Sequence, residues 1–443
     1  MTGRYKAYPA YKDSGVEWLG EVPQHWPVYS GKRLFRNVRQ PAKITDQQLA
    51  ASQKYGVIPQ SLMMELNDSK VMLALKGTES FRHIDKDNFV ISLRSFEGGI
   101  EHSAYEGCVS PAYTVLEASK EISPQFYKYL LKCRPYVSAL QSITDSLRDG
   151  KSITYEQFSA IALVFFDVGE QTQIANFLDH ETAKIDTLID KQQQLIKLLK
   201  EKRQAVISHA VTKGLNPDAP LKDSGVEWLG EVPEHWSVAK LSYRYEVLLG
   251  KMLDDKKITG AYLGKYLRNT DVQWDRINKE DLPEMDFRPE EQDRFSVNKG
   301  DLLVCEGGEI GRSAIWESDE SCFYQKALHR LRPIKVGTDN TRFMFYVLFD
   351  AVHQERFMSG AGKATIAHLP AETFRQYRFA FPPQEEQFSI AKHLDEVKAK
   401  YDVMEKKAIR QIELLQERRT ALISAAVTGK IDVRNWKTDF RTE

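Results

Sequence analysis

Residues 12–28, KDSGVEWLGEVPQHWPV, decide the architecture, because nearly the same stretch returns at residues 222–238 as KDSGVEWLGEVPEHWSV. The two copies agree at 15 of 17 positions. Chance does not produce such a match, and a long internal repeat indicates a duplicated architecture. The 443-residue chain is therefore predicted to consist of two related halves.

A second repeated pair lies further along each half. Residues 170–215 align without gaps to residues 386–431 and are identical at 21 of 46 positions. The stretches between the repeats, residues 29–169 and 239–385, hardly resemble each other. This order predicts a common frame that carries two unlike globular domains, called heads below.

The second repeat has the apolar spacing of a long amphipathic helix, three and four residues apart. In the first copy the stripe comprises Ile185, Leu188, Ile189, Leu195, Ile196, Leu199, Val206 and Ile207, and in the second Tyr401, Met404, Ala408, Ile412, Leu415, Leu422 and Ile423. A single helix cannot bury such a stripe. We expect the two copies to pack on each other as an antiparallel, coiled-coil-like pair, and the alternative is that each helix lies on its own domain.

Prolines and glycines mark the ends of these helices. Pro382 and Pro383 precede the second helix, and Gly214 and Gly429 are expected C-terminal stops. Within the heads, strands are expected at residues 88–93, 112–116, 301–305 and 314–316, and helices at 125–132 and 342–351.

The predicted fold class is therefore α+β (mixed α/β), with two globular domains joined by two long, antiparallel, coiled-coil-like helices in a pseudo-two-fold arrangement. The predicted divisions are an N-terminal repeated block (1–28), a first head (29–169), a central helix (170–213), a linker with the second repeated block (214–238), a second head (239–384), a distal helix (385–430) and a C-terminal tail (431–443).

Composition limits the possible functions. Lys and Arg together number 62, as do Asp and Glu, so the net charge is zero and any nucleic-acid contact needs local basic patches. The longest apolar runs, such as residues 161–166, are far shorter than a membrane helix, and residues 1–11 lack a signal-peptide core. Four cysteines without Cys-x-x-Cys spacing are expected to be buried thiols. The chain is predicted to be cytoplasmic, with no membrane contact.

No motif assembles a catalytic or metal site. Residues 360–365, GAGKAT, depart from a phosphate-binding loop, and residues 381–384, FPPQ, lack the acid or amide and the aromatic residue of an adenine-methylating element. The ten histidines show no metal-ligand spacing, and His25 and His235 are expected to be packing residues. We expect no catalytic residue, no metal ligand and no cofactor in this chain.

The order of these repeats resembles the specificity (S) subunits of type I restriction-modification systems. The resemblance rests on the DSGVEWLGEVPxHW block, on the EQxxIAxxLD start of both long helices and on their RxAxIS ends. Residues 300–303, GDLL, and 308–313, GEIGRS, are similar to a family pattern in the second head, and residues 92–96 with 107–113 to a variant in the first.

The resemblance implies a subunit that performs no chemistry. Each head would be a target recognition domain that reads one half of an asymmetric, bipartite DNA sequence. The helices would set the spacing between the half-sites and bind two methyltransferase (M) subunits, and two motor-nuclease (R) subunits would join for cleavage. S-adenosylmethionine, ATP and Mg would belong to these partners.

Candidate DNA-binding residues are polar and basic side chains in loops of the heads, since Arg, Lys, Asn and Gln read base edges or meet phosphates. They are Arg94, Ser95, Arg148, Lys151 and Ser152 in the first head, and Arg268, Asn269, Arg312, Gln325, Lys326, Lys363 and Thr365 in the second. For each residue singly, a solvated surface position or a local ion pair is the competing interpretation.

Candidate partner-binding residues come from the repeated segments, because two copies of one methyltransferase must meet similar surfaces. They are Arg203, Ile207, Arg419 and Ile423 on the helices. The repeated tryptophans, Trp18, Trp26, Trp228 and Trp236, are either further partner contacts or core residues that hold the block to the helices.

Two other functions remain open from the sequence. One is a stand-alone, two-headed DNA-binding regulator, and the other is a scaffold that does not touch nucleic acid. Zero net charge favours a subunit that needs partners, because phosphate contacts supply much of the affinity of a free DNA-binding protein.

Overall fold

The structure is a computed structural model that describes residues 5–67, 80–92, 99–143, 153–253, 259–357 and 368–437. The chain divides into two compact units. The first unit contains residues 1–192 and 410–443, and the second contains residues 193–409. The first unit therefore combines the two ends of the sequence.

The first unit is built from short strands, short helices and parts of the long helices. Its strands are β1 (Tyr11–Asp13), β2 (Glu21–Pro23), β3 (Val28–Ser30), β4 (Phe35–Val38), β5 (Leu49–Ser52), β6 (Gly56–Pro59), β7 (Arg82–Ile84), β8 (Phe89–Ile91), β9 (Ile100–His102), β10 (Gly107–Val109), β11 (Thr114–Ala118) and β12 (Ala162–Val164). Its helices are α1 (Gly31–Leu34), α2 (Gln60–Asn67), α3 (Pro124–Leu130), α4 (Arg134–Ile143), α5 (Tyr155–Ala160) and the first part of α6 (Val168–Lys213).

A four-stranded antiparallel sheet lies at the centre of the first head, in the order β4-β11-β8-β9. The expected strands at 88–93 and 112–116 and the helix at 125–132 are confirmed as β8, β11 and α3, with slightly different ends. Apolar side chains of this sheet, among them Phe35, Phe89 and Leu116, are fully buried. The core of the head therefore lies on this sheet.

The second unit has a similar composition. Its strands are β13 (Leu221–Asp223), β14 (Glu231–Pro233), β15 (Ser237–Lys240), β16 (Tyr245–Leu249), β17 (Leu263–Leu267), β18 (Val272–Gln273), β19 (Arg276–Ile277), β20 (Glu284–Asp286), β21 (Ser296–Val297), β22 (Leu302–Cys305), β23 (Ser313–Ile315), β24 (Cys322–Tyr324), β25 (Leu328–Pro333) and β26 (Arg378–Phe381). Its helices are α7 (Pro289–Phe295), α8 (Thr341–His353), α9 (Ala371–Gln376) and part of α10 (Gln384–Val427), with 3₁₀ turns at Leu241–Tyr243 and Asn269–Asp271.

The central sheet of the second head has the same topology as that of the first. Its order is β16-β25-β22-β23, so the last strand again lies between the first strand and a hairpin, and all pairs are antiparallel. The expected strands at 301–305 and 314–316 and the helix at 342–351 are confirmed. The heads therefore share a core sheet although their sequences have diverged.

The second head adds a sheet of its own, in the order β20-β17-β24-β21. Its central pair, β17 and β24, is parallel, whereas β20 and β21 are antiparallel to their neighbours. Parallel strands end at the same edge, so the residues that follow β17 and β24 lie side by side.

The repeated block docks on the first turn of a long helix. Trp26 is fully buried, and its Nε1 donates to Oε1 of Glu170 at 3.2 Å, while His25 Nε2 lies 2.8 Å from Oε2 of the same carboxylate. The second unit repeats both contacts, between His235, Trp236 and Glu386. Trp26 and Trp236 are thus core residues, and an acidic residue at a helix N-terminus suits the helix dipole.

The two long helices have the burial pattern of a coiled coil. Between residues 183 and 206 of α6 the positions that are not exposed are 185, 189, 192, 196, 199, 203 and 206, with Gln204 in addition. Between residues 399 and 422 of α10 they are 401, 405, 408, 412, 415, 419 and 422, with Asp402 in addition. Both series alternate steps of three and four residues, which is the spacing of a two-helix seam.

The predicted apolar stripe is wrong at three positions. Leu188, Leu195 and Met404 are 46%, 42% and 40% exposed. Each lies one residue outside the seam, and a helix that packs on a single partner buries only a narrow strip of its surface. The sequence pattern predicted a wider buried face than one partner helix can cover.

The packing of the helices is antiparallel, as expected. In the second unit Lys200 pairs with Glu405 at 3.2 Å and Arg203 with Asp402 at 2.9 Å, so residue numbers rise on one helix while they fall on the other. In the first unit Arg419 pairs with Asp186 at 2.9 Å.

The expected helix ends are also confirmed. Gln384 begins α10 directly after Pro383, and Gly214 follows the last residue of α6 with a φ of +77°. Gly429 closes the second helix with a φ of +73°. A left-handed glycine is the common C-terminal stop of a helix because it lacks the steric penalty of a Cβ atom.

No helix in the described segments is both long and apolar enough to span a bilayer.

Candidate nucleic-acid interface

Five predicted DNA-reading residues lie together at one edge of the second unit, called the candidate edge and formed by Arg268, Asn269, Arg312, Gln325 and Lys326. Arg268 follows β17 and Gln325 follows β24. Because these strands are parallel, the backbone N–H of Gln325 reaches the carbonyl of Leu267 at 3.1 Å. Residues that are distant in sequence therefore share one surface.

Arg268 is held in place by a carboxylate. Its Nε and Nη2 donate to the two oxygens of Asp271, each at 2.8 Å, and the Asp271 side chain is 2% exposed. The hydrogen bonds that the Arg268 guanidinium donates to Asp271 raise its pKa. With 40% of its side chain exposed, Arg268 presents a charged group in a fixed orientation.

Arg312 and Asn269 mainly hold the loop together. Arg312 is 15% exposed, and its Nη2 donates to Oδ1 of Asn269 at 3.0 Å and to the Asn269 carbonyl at 3.1 Å. Asn269 Nδ2 in turn donates to the carbonyl of Gly307 at 2.8 Å. These two residues position the backbone at the candidate edge more than they project from it.

The turn between β22 and β23 requires glycine at one position. Gly311 has a φ of +81°, and a Cβ atom there would lie 2.4 Å from Cγ2 of Val352. Gly308 has a φ of +72° with open space around it. A side chain at Gly311 would therefore displace the turn that carries Arg312.

Lys326 is the exposed member of the candidate edge. Its backbone N–H donates to the carbonyl of Lys251 at 2.8 Å, and the backbone N–H of Lys251 donates to the carbonyl of Tyr324 at 3.0 Å. The Lys251 side chain pairs with Glu291 at 2.6 Å. Sequence reasoning did not select Lys251, because only the fold brings residue 251 beside residue 326.

Seven other predicted DNA-binding residues lie outside the described residues, namely Arg94, Ser95, Arg148, Lys151, Ser152, Lys363 and Thr365. Their assignment stays a prediction. His368 and Gly307 form an isolated antiparallel β-bridge next to the candidate edge.

The predicted partner-binding residues make contacts within the chain. Arg203 pairs with Asp402, and Arg419 pairs with Asp186. Ile207 is 2% exposed in the core of the second unit. Ile423 packs partly buried against the core of the first unit. Their role towards another subunit stays a prediction.

The four cysteines are free, buried thiols, as the sequence predicted. Burial raises the pKa of Cys305 and that of Cys322 to about 11, and that of Cys133 to about 12. Burial likewise raises the pKa of Cys108. Protonated thiols are poor nucleophiles and poor metal ligands at neutral pH.

Comparisons with known proteins show what the chain is similar to. Residues 262–414, which include the candidate edge, match the model of the type I restriction modification DNA specificity domain. The type I restriction enzyme MjaVIII specificity subunit of Methanocaldococcus jannaschii is 22% identical over 433 residues, with 94% of this chain and 95% of that protein covered. Over nearly its whole length the chain is therefore similar to a type I specificity subunit.

Further specificity subunits are similar to the chain as well. The EcoKI specificity subunit of Escherichia coli K12 is 20% identical over 370 residues, covering 80% of this chain and 77% of that protein. A chain from a structural study of complex assembly and conformational transition in the type I R-M system superposes with a TM-score of 0.70 at 13% identity, covering 93% and 99% of the two chains. The HsdS subunit from Thermoanaerobacter tengcongensis gives 0.59 at 14% identity, covering 93% and 98%.

The resemblance predicted from the repeats is thereby confirmed, and so is the α+β fold class. Specificity subunits are the DNA-recognition components of type I restriction-modification systems, and they work in a complex with other subunits.

Proposed function

We propose that each head of this specificity subunit reads one half of an asymmetric, bipartite DNA target, and that the long helices set the spacer and bind two methyltransferase subunits. Two motor-nuclease subunits would join for cleavage. The bond-making groups, with S-adenosylmethionine, ATP and Mg, would belong to these partners in the cytoplasm. The observation that carries the proposal is a repeated frame with two heads that share a core sheet but differ in sequence.

The difference between the heads supports an asymmetric target. The second head carries the additional sheet β20-β17-β24-β21, and the candidate edge lies at the end of its parallel strands. The two-stranded sheets β5–β6 and β7–β10 occupy the first head instead. Two heads with the same core sheet but different surfaces would read two different half-sites.

Exposed apolar residues on the long helices support binding of a partner subunit. Within the second unit Leu195, Leu198, Val403, Met404 and Ile409 are each at least 40% exposed. They lie on the two paired helices α6 and α10, and clustered exposed apolar surface is typical of protein interaction sites. We propose that a methyltransferase subunit covers them.

The candidate edge assigns the proposed DNA contacts to individual residues. We propose that Arg268 and Gln325 contact base edges and that Lys326 binds a phosphate. Replacing Arg268 or Gln325 by alanine should relax the sequence requirement at one position, at about 1–3 kcal/mol each. K326A should weaken binding to all sequences alike and reduce the salt slope by about one.

The matched control is K299M, since Lys299 is a surface lysine that pairs with Asp319 at 3.0 Å and shares no described contact with the candidate edge. DNA affinity, salt slope and methylated sequence are measured on the complex. If R268A, Q325A and K326A behave like K299M, the candidate edge does not bind DNA.

A reconstitution experiment tests the proposed division of labour. The chain is purified alone and after co-expression with an adenine methyltransferase subunit, and both samples are incubated with duplex DNA and S-adenosylmethionine. We expect methylation from the complex and none from the chain alone. Failure to form a complex, combined with tight specific DNA binding by the chain alone, would favour the stand-alone regulator.

A further inference from the structure

A hairpin joins the candidate edge to the helices of the second unit. Its strands are β18 and β19, and Asp275 lies in the turn between them. Asp271, which holds Arg268 at the candidate edge, lies directly before β18. The backbone N–H of Asp275 donates to the carbonyl of Ser313, the neighbour of Arg312, at 3.1 Å. A movement of this hairpin would therefore move both arginines of the candidate edge.

The turn of this hairpin packs on helix α8 through an aromatic side chain. Trp274 is partly buried, and its ring meets the rings of Phe349 and Phe345 edge-on, with centroids 5.0 Å and 6.2 Å apart. Helix α8 is itself held on α6, since Gln204 Nε2 donates to Oδ1 of Asp350 at 3.0 Å. The hairpin, α8 and α6 therefore form one continuous set of contacts within the second unit.

Three charged residues, called the arginine clamp and formed by Arg342, Asp275 and Asp395, connect the same turn to α10. Arg342 lies in the first turn of α8; its Nη2 donates to Asp275 Oδ2 at 2.9 Å and its Nε to Asp395 Oδ1 at 2.8 Å. Asp395 lies on α10 and also accepts from the hydroxyl of Tyr346 at 2.7 Å. Lys398, three residues further along α10, places its Nζ 3.3 Å from Asp275 Oδ2. One guanidinium thus bridges a carboxylate of the hairpin and a carboxylate of a long helix.

The geometry of the arginine clamp fixes an angle as well as a distance. Arg342 donates to both oxygens of Asp275, through Nη1 and Nη2, and a paired fork of this kind allows little rotation. The side chains of Arg342 and Asp275 are 24% and 19% exposed, and a charge pair that is partly removed from water is stronger than one on an open surface. The turn of the hairpin is therefore held at a defined angle on α8 and, through Asp395, on α10.

We infer that the arginine clamp fixes the angle at which the second head meets the long helices of its unit, and that this fixed angle restricts the protein to one spacer length. The inference rests on the proposed function. One additional base pair moves a half-site by about 3.4 Å and turns it by about 35° around the duplex axis. A head that cannot turn on its helices cannot follow that rotation, whereas a released head can. Helix length thus sets the spacing, and the arginine clamp sets its precision.

The second head contains a matched ion pair that lies within the head itself. Arg332 Nε and Nη2 donate to the two oxygens of Asp301 at 2.8 Å and 2.7 Å, and the two side chains are 30% and 3% exposed. Arg332 lies on β25 and Asp301 directly before β22, so both belong to the central sheet of the head. Breaking this pair should lower stability without releasing the head from the long helices, which makes R332M the control for R342M.

The experiment measures methylation rates of the full chain in complex with its methyltransferase subunit, after methylation mapping has given the wild-type target. The substrates are duplexes that carry both half-sites at the wild-type spacer or at one base pair more or fewer. We expect R342M to keep both half-site sequences and to lower the preference for the wild-type spacer by about 2–30-fold, the range in which single residues of a coupled network act.

Two further variants test whether Arg342 acts through Asp275. Asp275 has a φ of +58°, which asparagine also tolerates, so D275N removes the charge while it preserves the turn. D275N should relax the spacer preference as R342M does, and D275N/R342M should relax it no further than R342M, because both changes remove the same contact. R332M should lower the melting temperature and leave the spacer preference unchanged.

The possible results separate this inference from the proposed function. The inference is overturned, while the proposed function stands, if R342M and D275N discriminate spacers as the wild type does, if their effects add in the double variant, or if R332M relaxes the spacer preference as much as R342M. If R342M does not assemble with the methyltransferase, D275N decides alone. A wild-type complex that methylates no split sequence would instead overturn the proposed function, and the inference with it.

Discussion

Inserting one heptad into each long helix should lengthen the spacer between the two half-sites. The seam positions of α6 and α10 repeat every seven residues, so a seven-residue insertion keeps them in phase. In the register given by the pairs Lys200–Glu405 and Arg203–Asp402, the bond after Ile196 lies opposite the one after Ala408. Insertions at these two points therefore lengthen the helix pair without changing which residues face each other.

The expected change follows from helix and duplex dimensions. Seven residues add about 10 Å at ~1.5 Å per residue, and half-sites on DNA move apart by about 3.4 Å per base pair. The spacer should therefore grow by one to about three base pairs, the upper value applying if the helix pair runs along the duplex. The two half-site sequences should stay the same, because neither head is altered.

The assay is mapping of methylated adenines in cells that carry the variant with its methyltransferase. Insertion of the same heptad into α6 alone is the control, since it leaves no matching seam on α10 and should lower stability and abolish methylation. An unchanged spacer in an active double-insertion variant would refute the idea that helix length sets the spacing.

Three further predictions concern stability. G311A should destabilise the protein by about 1–3 kcal/mol more than G308A in urea unfolding, since both need a positive φ but only Gly311 is enclosed; equal losses would contradict this packing. Leu199 lies in the seam and Leu198 is 60% exposed, so L199E should lower stability by about 1–3 kcal/mol and L198E should have little effect. Burial lowers the pKa of His329 to about 4 from about 6.5. As the pH falls, His329 is therefore protonated in the unfolded chain before it is protonated in the folded one. The free energy of unfolding should decrease by up to about 3 kcal/mol as the pH drops from 6.5 to 4. H329Q should remove that part of the pH dependence, and an unaltered pH profile would exclude His329 as its source.

The frame was predictable because duplication is visible in the residues themselves. The repeat of residues 12–28 at 222–238 indicates two halves, and the spacing of apolar residues by three and four positions predicts the long helices. The antiparallel packing followed from the need to bury two apolar stripes. The sequence did not predict which positions form the seam, because Leu188 and Leu195 are as apolar as the buried Ile185. Only the geometry of the partner helix decides which face is covered.

The heads were harder to predict for a different physical reason. Their shared sheet order depends on backbone pairing, which diverged sequences such as 29–169 and 239–385 can preserve without common residues. The candidate edge illustrates the same limit. The sequence selected Arg268 and Gln325 separately, but the parallel pairing of β17 with β24 brings them together.

The most direct test of the central claim compares methylated adenines across the genomes of host cells with and without this chain. Our account predicts that deletion of the chain erases methylation at one asymmetric sequence made of two specific parts separated by a fixed number of unread bases. An identical methylation pattern in both strains, or loss of methylation at a single uninterrupted motif, would contradict it.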